Sequence, residues 1–188
     1  MGHWHQIALP RGNVGFLNAV SVWTGRQLFV TNGQIGPCLL HQRSPSVTPP
    51  CVPHAGLYDP VTNRWTTTPV PRQLAGQTSI AAAWTGRRVI LAGVNYRHPS
   101  LVIGAYDPET SHRQMITPQL PANHPPGSLA MVATSNRVVL WSLWSRNTRT
   151  KGGFSIAFCI DVLARGRDGH WRNVTASWPQ NRDVNTPE

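Results

Sequence analysis

Seven cations, Arg11, Arg43, Arg72, Arg97, Arg146, Arg149 and Lys151, fall in six segments of this 188-residue chain that hold no aspartate or glutamate: 10–18, 33–54, 70–77, 94–100, 117–127 and 143–153. Four histidines, His41, His54, His98 and His124, share those segments. Cations without a counter-charge raise the local concentration of anions and steer acidic ligands toward them. The chemistry open to such a set is anion capture, by charge and by the bidentate fork of arginine. The whole chain leans the same way, with 17 Lys and Arg against 7 Asp and Glu and a net charge of +10. An arginine-rich codon bias gives the same total, so the segregation along the chain carries the reading. Asp59, Asp107, Glu109, Asp161 and Asp168 are read at a different set of turns, and Asp183 and Glu188 lie in the C-terminal tail.

Other chemistries find less support. Segment 33–54 carries Cys38, His41, Cys51 and His54, a C-x2-H…C-x2-H spacing that is irregular for a zinc module. Zinc needs four ligands converging at about 2.0–2.3 Å. This Ser- and Pro-rich stretch reads instead as a binding loop, and no metal or cofactor is expected. Cys38 and Cys51 would pair only in an oxidising compartment, and free thiols are the favoured reading. The basic segments hold no paired carboxylates for acid–base work, and nucleophile-elbow, dinucleotide and Walker patterns are absent. Eight tryptophans could stack on bases. However, Trp23, Trp65 and Trp84 recur at repeat positions where core packing is expected, which leaves only Trp144 among arginines. Nucleic acid is therefore disfavoured. No apolar window is long enough for a membrane-spanning helix. The N-terminus lacks a basic region followed by an apolar stretch, which favours a cytoplasmic reading while leaving location open.

The elements that position these groups repeat. Trp23-Thr24-Gly25-Arg26-Gln27-Leu28 returns as Trp84-Thr85-Gly86-Arg87-Arg88-Val89, and loosely as Thr134-Ser135-Asn136-Arg137-Val138, with Arg26, Arg87 and Arg137 read as equivalent. Gly56-Leu57-Tyr58-Asp59-Pro60 returns as Gly104-Ala105-Tyr106-Asp107-Pro108. Self-similarity at a period of about 50 residues marks a repeat architecture. Short apolar runs broken by Gly, Pro, Asn and Asp predict an all-β chain. Each unit reads as four strands: 19–23, 26–31, 55–58 and 64–68; then 78–84, 87–93, 101–106 and 112–116; then 128–133, 137–142, 154–161 and 170–175. The units span about 18–69, 78–116 and 127–175 within a region 1–179, and a polar tail follows at 180–188. Residues 3–10 read as an isolated outer strand. Inner-strand residues Val20, Val22, Leu28, Val30, Ile80, Ala82, Val89, Leu91, Val102, Ala130, Val132, Val138 and Leu140 are expected to be buried.

The order of apolar strand, Trp-Thr-Gly-Arg turn, second strand and Tyr-Asp-Pro-x-Thr-Asn-x-Trp resembles the kelch repeat. In particular it resembles bacterial kelch-type propellers related to the galactose oxidase central domain, over about residues 3–178. The resemblance implies a β-propeller, here partial: three four-stranded blades plus an orphan N-terminal outer strand. Closed propellers commonly have more blades than this, so two sheet faces are expected to stay open, and two copies closing a ring is one way to cover them. Copper-radical chemistry needs a second tyrosine near the Tyr96-Arg97-His98 loop, and the other two tyrosines, Tyr58 and Tyr106, belong to the repeat. The expected function is a non-catalytic binding module whose basic face, through Arg43, Arg72, Arg97, His98, Trp144, Arg146 and Arg149, takes an acidic protein segment or an anionic glycan. The alternative is part of a carbohydrate-active or oxidase-like propeller enzyme whose catalytic residues lie in blades outside this chain.

Overall fold

The structure, a computed structural model, describes residues 6–8, 19–32, 54–69, 74, 77, 79–94, 100–116, 127–134, 137–150 and 153–175, with backbone alone for 145–150 and 153–159. It is all-β, with no α-helix among the described residues and none long and apolar enough to cross a membrane. Among the described residues, twelve strands form three four-stranded antiparallel sheets, each a blade-like unit. The first holds β1 (Ala19–Trp23), β2 (Leu28–Asn32), β3 (His54–Asp59) and β4 (Arg64–Pro69). The second holds β5 (Ser79–Trp84), β6 (Val89–Val94), β7 (Leu101–Tyr106) and β8 (Arg113–Ile116). The third holds β9 (Ser128–Ala133), β10 (Val138–Thr150), β11 (Gly153–Arg165) and β12 (Trp171–Asn173).

Turn chemistry sets the hairpins. Thr24 N–H donates to Gln27 O at 2.9 Å, so Gly25 and Arg26 are the two central residues, and Gly25 sits at φ 89°. The second sheet repeats this with Thr85, Arg88 and Gly86. Glycine at the first central position with positive φ matches the right-handed twist of the flanking strands. The threonine is not decoration: its hydroxyl donates to the Gln27 or Arg88 carbonyl and accepts from the same residue's N–H. At the second hairpin turn of the first two sheets, on the same end, Asp59 Oδ1 accepts from Val61 and Thr62 N–H, and Asp107 Oδ1 accepts from Glu109 and Thr110 N–H. That is why Tyr-Asp-Pro recurs at these turns.

The sheets stack with β5 between β1 and β9. All of β6 is buried, and so is nearly all of β7. One face of the second sheet, through Ala81, Ile90, Ala92, Val94, Ile103 and Ala105, packs on Val138, Leu140 and Leu163 of the third. The other face, through Val89, Leu91 and Tyr106, packs on Phe29, Ala55 and Leu57 of the first. A buried bond from Thr68 Oγ1 to Tyr106 Oη, 2.7 Å long, fastens the first two sheets, and the Leu129 N–H reaches Ser79 Oγ across the other junction.

Strand ends match the sequence expectation within a few residues, with one exception. β10 and β11 run on to Thr150 and back from Gly153, where a loop 143–153 was expected. The ladder continues without interruption from Leu143↔Ile160 to Thr150↔Gly153, so Trp144 lies in a strand and is buried. Asp161, expected at a turn, is buried in the middle of β11. The phase of β9 also differs from the expectation. Leu129, Met131 and Ala133 face the second sheet, whereas Ala130 and Val132 are exposed, because no sheet among the described residues covers that side. The far face of β1 is open in the same way, with Trp23 half exposed. Val20, Val22, Leu28, Ile80, Ala82 and Val102 are only partly buried, while Val30, Val89, Leu91, Val138 and Leu140 are core residues as expected.

Of the expected strand 3–10, only Gln6–Ala8 are described, and they form no ladder. They are nonetheless fixed to the first sheet: Trp65 Nε1–H donates to Ala8 O at 2.6 Å, and Ala8 N–H donates to Asn63 Oδ1. Asn63 takes φ 50° and also accepts from Tyr58 Oη, whose ring lies 5.2 Å from that of Trp65.

Burial decides two substitutions. Leu91→Ala empties a fully buried site and should lower unfolding free energy by about 2–5 kcal/mol. Val132→Ala, on the open face of β9, should change it by about 0.5 kcal/mol or less. Denaturant titration of both variants checks the pair, and equal costs would contradict this assignment of faces.

Candidate functional site

Strand register shows which residues correspond between the sheets. Leu28 pairs with Tyr58 and Val89 with Tyr106, but Val138 pairs with Arg165. Arg165 therefore stands where the other sheets carry tyrosine, and Gly166 follows where they carry Asp59 and Asp107. The hairpin bonds correct the alignment of the repeated phrase as well. Thr134 N–H donates to Arg137 O as Thr85 N–H donates to Arg88 O, so Arg137 corresponds to Arg88 and Gln27, and not to Arg26 and Arg87.

These replacements change the charge at one end of the sheets. In the second sheet, Arg87 Nε lies 3.6 Å from Asp107 Oδ2, the Arg exposed and the Asp buried. Burial pushes the Asp107 carboxyl up, but the Thr110 and Glu109 N–H groups and the Arg87 charge outweigh it, and the net shift is downward. The third sheet has glycine at the matching position, so that position supplies no acid there. Its nearest acid in the turn, Asp168, is taken by Arg172 through two bonds of 3.2 and 2.5 Å. With a further N–H from His170, those bonds hold Asp168 down at about 2.

The result is an open cleft of about 350 Å³ across the seam of the second and third sheets. Arg87 and Arg88 reach it from the β5–β6 turn, Arg137 from the β9–β10 turn, and Arg165 and Arg167 from the β11–β12 turn. No carboxylate lines it among the described residues. Arg88 Nη1 reaches Gln114 Oε1 at 3.5 Å, but the Nε–H groups of Arg88 and Arg165 are buried and meet no acceptor among the described residues. A desolvated donor on a cation without an acceptor is costly. Gly169, at φ 81°, makes room for Arg165: a Cβ there would lie 3.0 Å from its Nη2.

Only part of the set expected from sequence falls on described residues. Arg43, Arg72, Arg97 and His98 lie outside the described residues. Arg146 and Arg149 lie on the extended part of β10, across from Ala157 and Phe154, and Trp144 is buried in the same strand. The sequence reads Arg87 and Arg137 as equivalent, whereas Arg87 meets Asp107 and Arg137 occupies the position of Arg88. The missed signal was the loss of Tyr-Asp-Pro in the third unit, where Arg165-Gly166-Arg167 takes its place.

The acid limb of stability should follow these turns. A carboxyl held below its ordinary 3.8 stabilises the fold fully above about pH 4, and that contribution is lost as pH falls toward 2. Asp168→Asn should therefore flatten the fall of the melting midpoint between pH 4 and 2 relative to the parent chain. Superimposable curves would show that Asp168 is not the group titrating.

No protein-family model and no curated protein matches the chain, so the arginine cleft carries the functional reading by its own geometry.

Proposed function

We propose that this chain is a non-catalytic binding module built on kelch-type blades, and that it holds an anionic glycan in the arginine cleft. The observation that carries the reading is the convergence of guanidinium groups from three turns on a cleft where one acid, Asp107, answers one of them. Charge of this kind attracts a ligand by long-range steering and holds it by charge-assisted hydrogen bonds.

A glycan fits better than an acidic protein segment. An extended peptide presents N–H groups that need acceptors, and the cleft is lined almost entirely by donors. The hydroxyl of Thr85 is already committed, donating to Arg88 O and accepting from Arg88 N–H. Val138 is the one aliphatic lining residue among those described, and the rest are threonines, arginines and Gly166. A compact charged ring that offers acceptors suits this inventory.

The test is retention of the full chain on immobilised anionic polysaccharide and on polyglutamate across a salt gradient. Retention on the polysaccharide should be the stronger and should fall steeply with salt, since exposed attraction is screened beyond about 10 Å at 0.1 M. Arg137→Glu with Arg167→Glu should abolish it at an unchanged melting midpoint, because both side chains are exposed. Arg97→Glu with Arg146→Glu should leave it intact, and loss with that pair alone would move the site to the other basic segments. No retention on any polyanion would end the reading.

A further inference from the structure

We propose that the charged group this cleft selects is a tetrahedral oxyanion ester, a sulfate or phosphate monoester on a sugar, in preference to a sugar carboxylate. The proposal rests on the cleft being an anion site and concerns what shape of anion it takes.

Two features point to this chemistry. The first is direction. The guanidinium groups arrive from three turns on two sheets, Arg87 and Arg88 on one side of the seam and Arg137, Arg165 and Arg167 on the other. A carboxylate offers two oxygens in one plane, which suits a single arginine fork. Forks converging from separate turns need acceptor oxygens spread in three dimensions, and a monoester presents three terminal oxygens arranged as a tripod. The second feature is the donor-rich lining. Thr85 Oγ1 donates to and accepts from the backbone of its own turn, and Thr134 Oγ1 donates to Arg137 O. The charged side chains of the lining are all arginines, so the preferred charged group is one that accepts and does not donate.

The Gly166 position shows how the third sheet differs. In the second sheet the matching Asp107 carboxylate supplies oxygens to its own turn and to Arg87. In the third sheet the space beside Gly166 is taken by the Asp168 carboxylate, 2.9 Å from where a Cβ would stand, and that acid is held by Arg172, which does not line the cleft.

Three hexoses charged at carbon 6 separate shape from charge: glucose 6-sulfate, glucose 6-phosphate and glucuronate, each titrated calorimetrically into the full chain at low ionic strength. The sulfate and the carboxylate both carry a single charge, so their difference reports geometry alone. The sulfate ester should bind at least about ten-fold more tightly than glucuronate, the size of effect expected from one added charge-assisted contact. Phosphate should match or exceed sulfate, and its affinity alone should rise between pH 5 and 7 as its second proton leaves near pH 6. That pH dependence also tells which ester the cleft prefers. Arg137→Gln with Arg167→Gln should remove the ester preference while the melting midpoint stays unchanged.

Equal binding of sulfate and glucuronate would overturn the proposal and leave the anion site standing. Tight phosphate binding with sulfate no better than glucuronate would overturn it too, since charge and not shape would then decide. Ester binding unaffected by the double variant would place the ligand elsewhere. Failure of all three sugars to bind would overturn both this proposal and the reading beneath it.

Discussion

Everything in this chain depends on the second sheet being buried on both faces. A four-stranded sheet with alternating apolar residues hides one face only, and this one needs a neighbour on each side. Val89, Leu91 and Tyr106 look toward Phe29 and Leu57, while Ile90, Ala92 and Ile103 look toward Val138, Leu140 and Leu163. The strands of the middle sheet therefore read as unbroken apolar runs, Val89–Val94 and Leu101–Tyr106, and those of the flanking sheets alternate. Small side chains at Ala81 and Ala83 let β5 lie close to its neighbours. The order of the sheets, the placement of the turns and the seam that forms the cleft all follow from that one packing requirement.

Much of this was legible in the sequence for a physical reason. Glycine with positive φ at 25 and 86, and Asp59 and Asp107 capping their turns, are local devices whose residue types are dictated by backbone geometry. Local devices announce themselves in sequence. Which face of β9 is buried is not local: Ala130 and Met131 are both apolar, and only the position of β5 decides that Met131 turns inward. The length of β10 was hidden for a related reason. Arg146, Asn147 and Arg149 look like loop residues, yet their backbone finds partners in Ala157, Ile156 and Phe154. A two-stranded ladder asks little of side-chain type when its neighbours supply the hydrogen bonds.

The candidate site was the least legible part. Searching for cations pointed to the segments richest in arginine, whereas the cleft arises from a substitution inside the repeat. Tyr106 donates structure to the first junction, accepting from Thr68, and Asp107 neutralises its own hairpin. Replacing that pair with Arg165 and Gly166 removes a fastening and a counter-charge in one step. Only the pairing of Val138 with Arg165 reveals the correspondence, because the turn in the third sheet is shorter and the phrase can no longer be matched by eye. A departure from a repeat is best found once the register is known.

The cleft's position across the seam has a mechanical side. The first and second sheets are stitched by a hydroxyl pair deep in their interface, Thr68 with Tyr106. The second and third sheets have Arg165 at the corresponding place and are joined instead by apolar packing and by the bond from Leu129 N–H to Ser79 Oγ. An anion held by arginines of both sheets, as proposed, would add a polar tie across a junction that is otherwise mostly apolar. Such a ligand would raise the stability of the folded chain by an amount set by its concentration over its dissociation constant.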